Sequence, residues 1–281
     1  MSASAPGAAP AVTVLLAVYK PDALYFPQAV ASVMAQTFGD WELLVIEDES
    51  PLSAAALLRE LDDPRIRHHL NPHRHTLAAA LNEGLRLARA PLVARLDGDD
   101  LCEPRRLEEQ VRYLAEHPEV AVYGSRITVI DQRGDVLGRR LLPTTHEEIA
   151  GALRRYNCIS HPSVMFRRDA VLAAGGYDAE ERVEDWELWC RMLLGGARFA
   201  ASPEALIRYR FHAGALKFEN VHGVIRRGIQ IKGRYFGGSL AVGDRLRMLA
   251  ERLLLLAPPR LILWLFRRSQ YRAFTAAEGE R

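Results

Sequence analysis

Asp97-Gly98-Asp99-Asp100 places two carboxylates, Asp97 and Asp99, two residues apart with a glycine between them. On an extended or turning segment such a pair converges on one hard cation, and Gly98 removes a side chain that would block close approach. Magnesium or manganese, held by one or two carboxylates together with substrate phosphates, is the expected guest. The alternative is a helix cap, with Asp99 or Asp100 accepting from the first turn of a helix led by Pro104. A second acidic run, Glu47-Asp48-Glu49-Ser50, offers Asp48 either as acceptor for a base or ribose donor or as a turn-former before Ser50-Pro51. Glu184-Asp185-Trp186-Glu187 opens a helical segment, where the helix dipole favours acids without any further purpose. To deprotonate a hydroxyl, one of these carboxylates would have to lie within hydrogen-bond reach of it. His212, closing Tyr209-Arg210-Phe211-His212, is a further metal ligand if the chain returns there to Asp99. His68, His69, His73, His75 and His117 stand in polar surroundings and read as surface residues.

The elements that must position these groups follow from hydrophobic periodicity. Val12 to Val18 is a short apolar run, β-branched at its start, that stops near Lys20-Pro21, and Trp41 to Ile46 and Leu92 to Leu96 repeat the pattern. Leu24 to Gln36 and Thr76 to Ala90, lying between them, carry apolar residues at helical spacing. Strands alternating with helices of this length predict an α/β fold, with a mostly parallel central sheet and helices on its faces. Ligands of such sheets bind beyond the carboxyl ends of the strands, and both acidic runs fall at that one edge. Further along, a helix is expected over Glu103 to His117 with Pro104 in its first turn, and a strand over Val120 to Ile130 before an Arg133-Gly134 turn. Gly175 to Asp178 reads as a loop, Val183 to Leu194 as a helix, and the Arg-rich stretch from Val224 as helical.

Composition bounds the rest. The chain has 281 residues, 49% hydrophobic and 26% charged, which is globular composition and rules out disorder, collagen or a solenoid. A formal charge of +2 provides no drive toward nucleic acid. The charge is unevenly spread: from Arg226 onward there are twelve Lys/Arg against four Asp/Glu, so an acidic body carries a basic tail. Cys102, Cys158 and Cys190 are an odd number without metal-type spacing, which fits free thiols in a reducing compartment and a cytoplasmic protein. The longest apolar stretch, Leu253 to Phe266, is broken by Pro258, Pro259 and Arg260, whereas a spanning helix needs ~20 mostly apolar residues. Residues 1–10, small and uncharged, read as a disordered leader.

Taken in order, VTVLLAVYK, SVMAQTFGDWELLVIEDES, LNEGLRLARAPLVARLDGDDLCEPRRLEEQVRYLAEHPEVAVYGS, HPSVMFRRDAVLAAGGYD, EDWELWCRML and YRFH resemble the family 2 inverting glycosyltransferases of the GT-A fold. The likeness covers roughly residues 11 to 215. It implies a Rossmann-like nucleotide-binding domain over residues 11–222, followed by a helical tail over 223–281. By position it implies that Ala17, Val18 and Tyr19 line the nucleotide pocket and that Asp48 bonds the base. Asp97 and Gly98 would hold the ribose and diphosphate, and Asp99, with Asp97 and His212, the Mn2+ or Mg2+. Asn82 and Arg95 match recurrent donor-site positions, and Asp185 falls at the position of the catalytic base, with Glu184 or Glu187 as its possible helpers. The chain departs from many relatives in replacing the Gly of Asp-Asp-Gly-Ser by Glu49, and in having Arg74-His75-Thr76 where Asn-x-Gly is frequent.

The function so implied is transfer of a sugar from a nucleoside-diphosphate sugar, UDP by default, to a glycan or lipid-linked acceptor hydroxyl in cell-envelope polysaccharide or glycolipid synthesis. Two rival readings use part of the same residues: a metal-dependent phosphohydrolase at Asp97 and Asp99, and a catalytically silent nucleotide-binding scaffold. Neither assigns a part to Asp185. The tail, with Arg245, Arg247, Arg252, Arg260, Arg267, Arg268 and Arg272 among leucines, Trp264 and Phe266, either lies on an anionic membrane face or packs on the catalytic domain or a dimer partner. On a membrane each near-surface cation adds ~1 kcal/mol, and the surface met would be the inner face of the plasma membrane.

Overall fold

The computed structural model describes residues 9–59, 61–181, 183–211, 221–238, 241–259 and 261–262. His212 therefore lies outside the described residues, as do residues 1–8 of the leader and 263–281 of the tail. Strands β1 (Val12–Tyr19), β2 (Trp41–Asp48), β3 (Ile66–Asn71) and β4 (Leu92–Leu96) run parallel in the order β3-β2-β1-β4. Helices α1 (Tyr25–Met34), α2 (Ala54–Leu58) and α3 (Leu77–Leu87) make the crossovers. Register aligns the strand ends: Tyr19 pairs with Asp48, Asp48 with Asn71, and Leu16 with Leu96, the residue before Asp97. The two acidic runs thus meet at the same carboxyl edge, as the alternating pattern predicts.

Beyond β4 the sheet turns mixed. It continues through β8 (Met165–Arg167), β6 (Val120–Ile130) and β9 (Arg198–Arg210) to the two-residue β5 (Leu101–Cys102), while β7 (Val136–Arg140) hangs on β6. β8 is antiparallel to both neighbours, and β6 and β9 are parallel to each other. The short strands β3, β5, β7 and β8 carry weak patterns of their own, and each is held by a longer neighbour. Side chains of β1 alternate between two cores. Val14 and Leu16 pack with α1 and with Leu107 of α4 (Arg106–Glu116), while Leu15 packs with α3.

The second core also takes in α5 (His146–Leu153), α6 (Arg168–Ala173) and α7 (Glu184–Leu194). It extends past the expected boundary at residue 222. Helix α8 (Val221–Phe236) straddles that point and buries Ile231 and Phe236 in the core, with Gly228 set so close to Trp186 that a Cβ would lie 2.9 Å from its ring. Helix α9 (Val242–Leu254) follows and buries no residue. Among the described residues no helix is long and apolar enough to cross a membrane. All three cysteines are buried free thiols.

The edge that carries the acids is held from below by a buried cation. Arg106, fully buried on α4, donates to the carbonyls of Arg95 (2.7 Å) and Val164 (3.1 Å) and to Gln110 Oε1 (3.0 Å). Gln110 in turn donates to Tyr123 O and Ser163 O. The sequence shows these two only as polar residues on an amphipathic helix. Replacing Arg106 by Leu leaves two buried carbonyls without those donors, and we expect a loss of about 2–4 kcal/mol of folding stability, read by urea unfolding.

Candidate functional site

β4 ends at Leu96, and the chain turns immediately, Asp100 N donating to Asp97 O at 3.4 Å. The turn brings carboxylate oxygens of Asp97, Asp99 and Asp100 within 4.8 Å of one another. Asp97 pairs with the buried guanidinium of Arg95. Burial works against the charge of Arg95, but Asp97 outweighs it and holds the guanidinium above its ordinary pKa. Asp100 is buried; its Oδ1 accepts Arg210 N at 2.8 Å, and its Oδ2 has no hydrogen-bond partner. Burial, reinforced by Asp97 and then Asp99, pushes its carboxyl well above the usual carboxylate range. A buried acid with an open oxygen, facing two further carboxylates, is an environment that a divalent cation neutralises, and an all-oxygen donor set suits Mg2+ or Mn2+. Asp100 belongs to this set, although the sequence offered it only as a cap. Helix α4 instead starts behind Arg105, with no side-chain cap. Gly98 lies where a Cβ would come to 3.0 Å from Val18 Cγ1, so it lets the turn sit against the end of β1.

The far end of the edge is built on Asp48. This carboxylate is buried and bonded within the chain: Oδ1 accepts Asn71 Nδ2 at 2.9 Å, and Oδ2 accepts His75 N at 2.8 Å. Its partners are tertiary rather than those of a local turn. The carboxylate ties β2 to the 71–75 loop. His75 Nδ1 lies 3.3 Å from Asp48 Oδ1, and His68 Nε2 lies 2.7 Å from the buried Glu47; both histidines are exposed, as their surroundings in sequence imply, and each meets a buried acid from the surface. Tyr19 follows Ala17 and Val18 at the end of β1, with the Arg74 guanidinium 4.4 Å over its ring and Lys20 at φ +54° beside it. Arg74 and His75, the departure from the frequent Asn-x-Gly, thus close this end of the site.

The third part comes from α7. Asp185 Oδ2 accepts Asn157 Nδ2 at 2.6 Å, and its Oδ1 accepts Trp186 N at 2.8 Å. Glu184 is pushed up to about 7, first by burial and then by the like charges of Asp185 and Asp97, partly offset by Arg95. The Glu184 carboxyl thus lies within electrostatic reach of Asp185 and, more weakly, of Asp97. Beneath them Tyr177 is buried, its hydroxyl 2.9 Å from His161 Nε2. Asn82 spends its amide on the Tyr177 backbone, donating to Tyr177 O at 2.7 Å and accepting Tyr177 N at 2.8 Å. Gly176, at φ +69°, stands where a Cβ would meet Asn82 Oδ1 at 2.7 Å. Glu187 pairs with Arg191 at 2.7 Å and with the Tyr235 hydroxyl, and Arg191 donates to Gly176 O, so Glu187 braces the loop and α8. Asn157 carries no motif of its own in the sequence, and His161, Tyr177 and Arg210 lie in the HPSVMF, GGYD and YRFH stretches without a part read for them there.

The sequence model of Glycosyl transferase family 2 matches residues 13–173. The chain belongs to this family. The O-antigen biosynthesis glycosyltransferase WbnJ of Escherichia coli is 30% identical over 207 residues, covering 72% of this chain and 80% of WbnJ. The Escherichia coli UDP-Gal:alpha-D-GlcNAc-diphosphoundecaprenol beta-1,3-galactosyltransferase is 28% identical over 235 residues, covering 80% and 82%. Among solved structures, the Pyrobaculum calidifontis mannosyltransferase PcManGT, in complex with GDP-Man and Mn2+, superposes with a TM-score of 0.64 at 17% identity, over 99% of this chain and 78% of its own. At that identity the likeness speaks for the fold, which is GT-A.

The open oxygen of Asp100 gives a direct test of cation fit in this glycosyltransferase. Asp100→Asn removes a buried acid whose charged form burial and its neighbours disfavour, so at a pH high enough to ionise Asp100 the cation-free melting temperature rises, by about 2–4 °C for each kcal/mol of repulsion relieved. The further rise caused by Mn2+ in the wild type shrinks in the variant, because a cation stabilises by binding the folded state. Calorimetric scans with and without Mn2+ check both.

Proposed function

We propose that this glycosyltransferase is an inverting, divalent-cation-dependent enzyme that moves a sugar from a nucleoside-diphosphate sugar to an acceptor hydroxyl in the synthesis of an envelope polysaccharide or glycolipid. The observation that carries the reading is the cluster of Asp97, Asp99 and Asp100 at the carboxyl edge of the sheet, three carboxylates within 4.8 Å of one another with the buried Oδ2 of Asp100 without a hydrogen-bond partner. In the proposed site the end of β1, Ala17 to Tyr19, lines the nucleotide pocket, and Arg74 stiffens Tyr19 as its wall. Asp48 holds the 71–75 loop against the base. Asp97 and Gly98 border the ribose and diphosphate. Asp99, Asp97 and Asp100 hold Mn2+ or Mg2+, which when bound neutralises the charge left on the departing nucleoside diphosphate. His212 remains a proposed additional ligand.

At the other end Asp185 takes the proton from the acceptor hydroxyl. The oxygen so freed attacks the anomeric carbon on the face opposite the diphosphate, and the bond from that carbon to the phosphate oxygen breaks in the same displacement. The electron pair leaves with the nucleoside diphosphate, and the configuration inverts. Asn157 is a positioning residue: by donating to Oδ2 it fixes the carboxylate. Arg95 and Asn82 act in the same sense, Arg95 by orienting Asp97 and Asn82 by clamping the Tyr177 backbone. UDP is taken as the nucleotide and a lipid-linked glycan as the acceptor class, in keeping with the donor and acceptor in the name of the galactosyltransferase relative. A phosphohydrolase or a silent scaffold would leave the held carboxylate of Asp185 without a task.

Asp185→Asn is expected to lower transfer about 10²–10⁴-fold while leaving nucleotide-sugar affinity near wild type. Asp99→Ala is expected to abolish the cation-dependent part of nucleotide binding. Isothermal titration against UDP-sugars and GDP-mannose with Mn2+, together with the anomeric configuration of the product by NMR, tests the reading. Full transfer by Asp185→Asn, or a product of retained configuration, would overturn it.

A further inference from the structure

Arg140 of β7 is a cation without a counterpart. It is half-buried, and among the described residues its guanidinium makes no hydrogen bond and no ion pair. Burial draws it below its ordinary pKa, and what works against burial is a pair of phenols, Tyr209 and then Tyr156. The acids of its own hairpin, Asp131 and Asp135, stand at the turn, where Asp131 Oδ1 accepts the N–H groups of Arg133 and Asp135. A charge withdrawn from water is costly unless it is paired, so a guanidinium in this state gains when an anion reaches it.

Strand register gives its place. Ala94 of β4 pairs with Met165 of β8, and Val93 and Ala94 run antiparallel to β8 as Val122 and Tyr123 of β6 do, so β4 and β6 point the same way. β9 holds one side of β6, and β7 takes the other side beyond β8, with Arg140 opposite Ile127. The stretch from Tyr123 to Ile127 advances toward the carboxyl edge as far as that from Ala94 to Gly98 in the acidic turn. Two strand spacings, about 10 Å, separate β7 from the line of β4. Arg140 shares the face of its partner Ile127, and so of Ile207 and Tyr209 on β9. Ile127 and Ile207 lie in the core that includes Leu16 and Phe26, which a Cβ on Gly98 would also meet, so the acidic turn sits on this face too. The two phenols belong to the two ends of the site. Tyr209 is pushed up by burial and then by Asp100, Asp97 and Asp99, and Tyr156 precedes Asn157, which donates to Asp185.

We propose that Arg140 binds a phosphate group of the acceptor. The inference rests on the transfer reading, in which the acceptor is a lipid-linked glycan and its anion is the phosphate of that linkage. A planar guanidinium offers such an oxyanion two parallel N–H donors. The donor diphosphate has the same chemistry, but on that reading the cation held by Asp97, Asp99 and Asp100 serves it, which leaves Arg140 to the acceptor. Arg140 then selects acceptors that carry phosphate beside the receiving sugar.

The test is isothermal titration of the full-length protein, saturated with UDP and Mn2+, with geranyl phosphate as the probe and geraniol as its uncharged counterpart. Geranyl phosphate is expected to bind and geraniol is not. Arg140→Gln should weaken geranyl phosphate roughly 10- to 100-fold, the loss of a charge-assisted hydrogen bond. Arg140→Lys should recover part of that loss. Arg139→Gln, which removes the exposed neighbouring cation on the opposite face of β7, should leave binding near wild type. The melting temperature of Arg140→Gln should not fall, because no partner is lost, whereas a purely structural role would lower it. A separate titration of UDP with Mn2+ tells the two phosphate sources apart. Unchanged UDP affinity in Arg140→Gln assigns the arginine to the acceptor, and a loss there assigns it to the donor diphosphate and overturns the proposal. Equal binding of geranyl phosphate by wild type and Arg140→Gln, equal losses in Arg139→Gln and Arg140→Gln, or no binding by protein that does bind UDP would overturn it as well. A wild type that binds no UDP contradicts the transfer reading, and the proposal with it.

Discussion

Asp97, Asp99 and Asp100 bring three carboxylates within 4.8 Å of one another at the end of β4, and like charges that close must be held by something stiffer than their own turn. The stiffness comes from two buried arginines. Arg106 reaches up from α4 to the carbonyl of Arg95 at 2.7 Å, and Arg210, from the end of β9, donates to the carbonyl of Asp99 at 2.9 Å and fixes Asp100 through its own N–H. Arg210 also donates to the carbonyls of Asp131 and Gln132 and to Gln28 Oε1, and it lies over the ring of Tyr25. Much of the second half of the sheet therefore serves to hold one acidic turn in place. Among the described residues Arg95 pairs with Asp97, and Asp100 Oδ2 has no hydrogen-bond partner. On the proposed reading a divalent cation would relieve this crowding of like charge.

The same economy orders the rest of the edge. Strand register puts Tyr19, Asp48 and Asn71 in one row, and the carboxylate of Asp48 then folds the 71–75 loop over it. On the other side, the Gly175-Gly176-Tyr177 loop is clamped by Asn82 from α3 and by Arg191 from α7, so two helices grip the same backbone. That shared grip fixes where Asp185 stands relative to Asp97. It also explains why a Cβ at Gly176, which would fall 2.7 Å from Asn82 Oδ1, has no room.

Local patterns made the first half legible. The runs at Val12, Trp41 and Leu92, with the helices between them, show in composition alone, and Val120 to Ile130 is a strand over the same residues in both readings. The two acidic runs also land on the predicted edge, because that follows from chain direction in a parallel sheet. What the sequence hides is anything fixed by distant partners. Asp100 reads as a cap, yet it is buried by Arg210, which lies 110 residues away. His75 reads as surface and is exposed, but the sequence does not show that its backbone is held by a carboxylate 27 residues earlier. Asn82 reads as a donor-site residue by resemblance, yet both ends of its amide are taken by Tyr177, 95 residues on. The boundary drawn at residue 222 follows a change in charge, whereas the core is continuous through Ile231 and Phe236.

On the proposed reading the carboxylate cluster at the end of β4 holds a divalent cation together with the donor diphosphate. Anomalous diffraction at the manganese edge, from crystals grown with UDP and Mn2+, tests it most directly. The account predicts one anomalous peak among Asp97, Asp99 and Asp100, with carboxylate and phosphate oxygens at about 2.0–2.6 Å. Nucleotide density at the sheet edge with no peak in the cluster, or a manganese bound elsewhere on the chain, would contradict it.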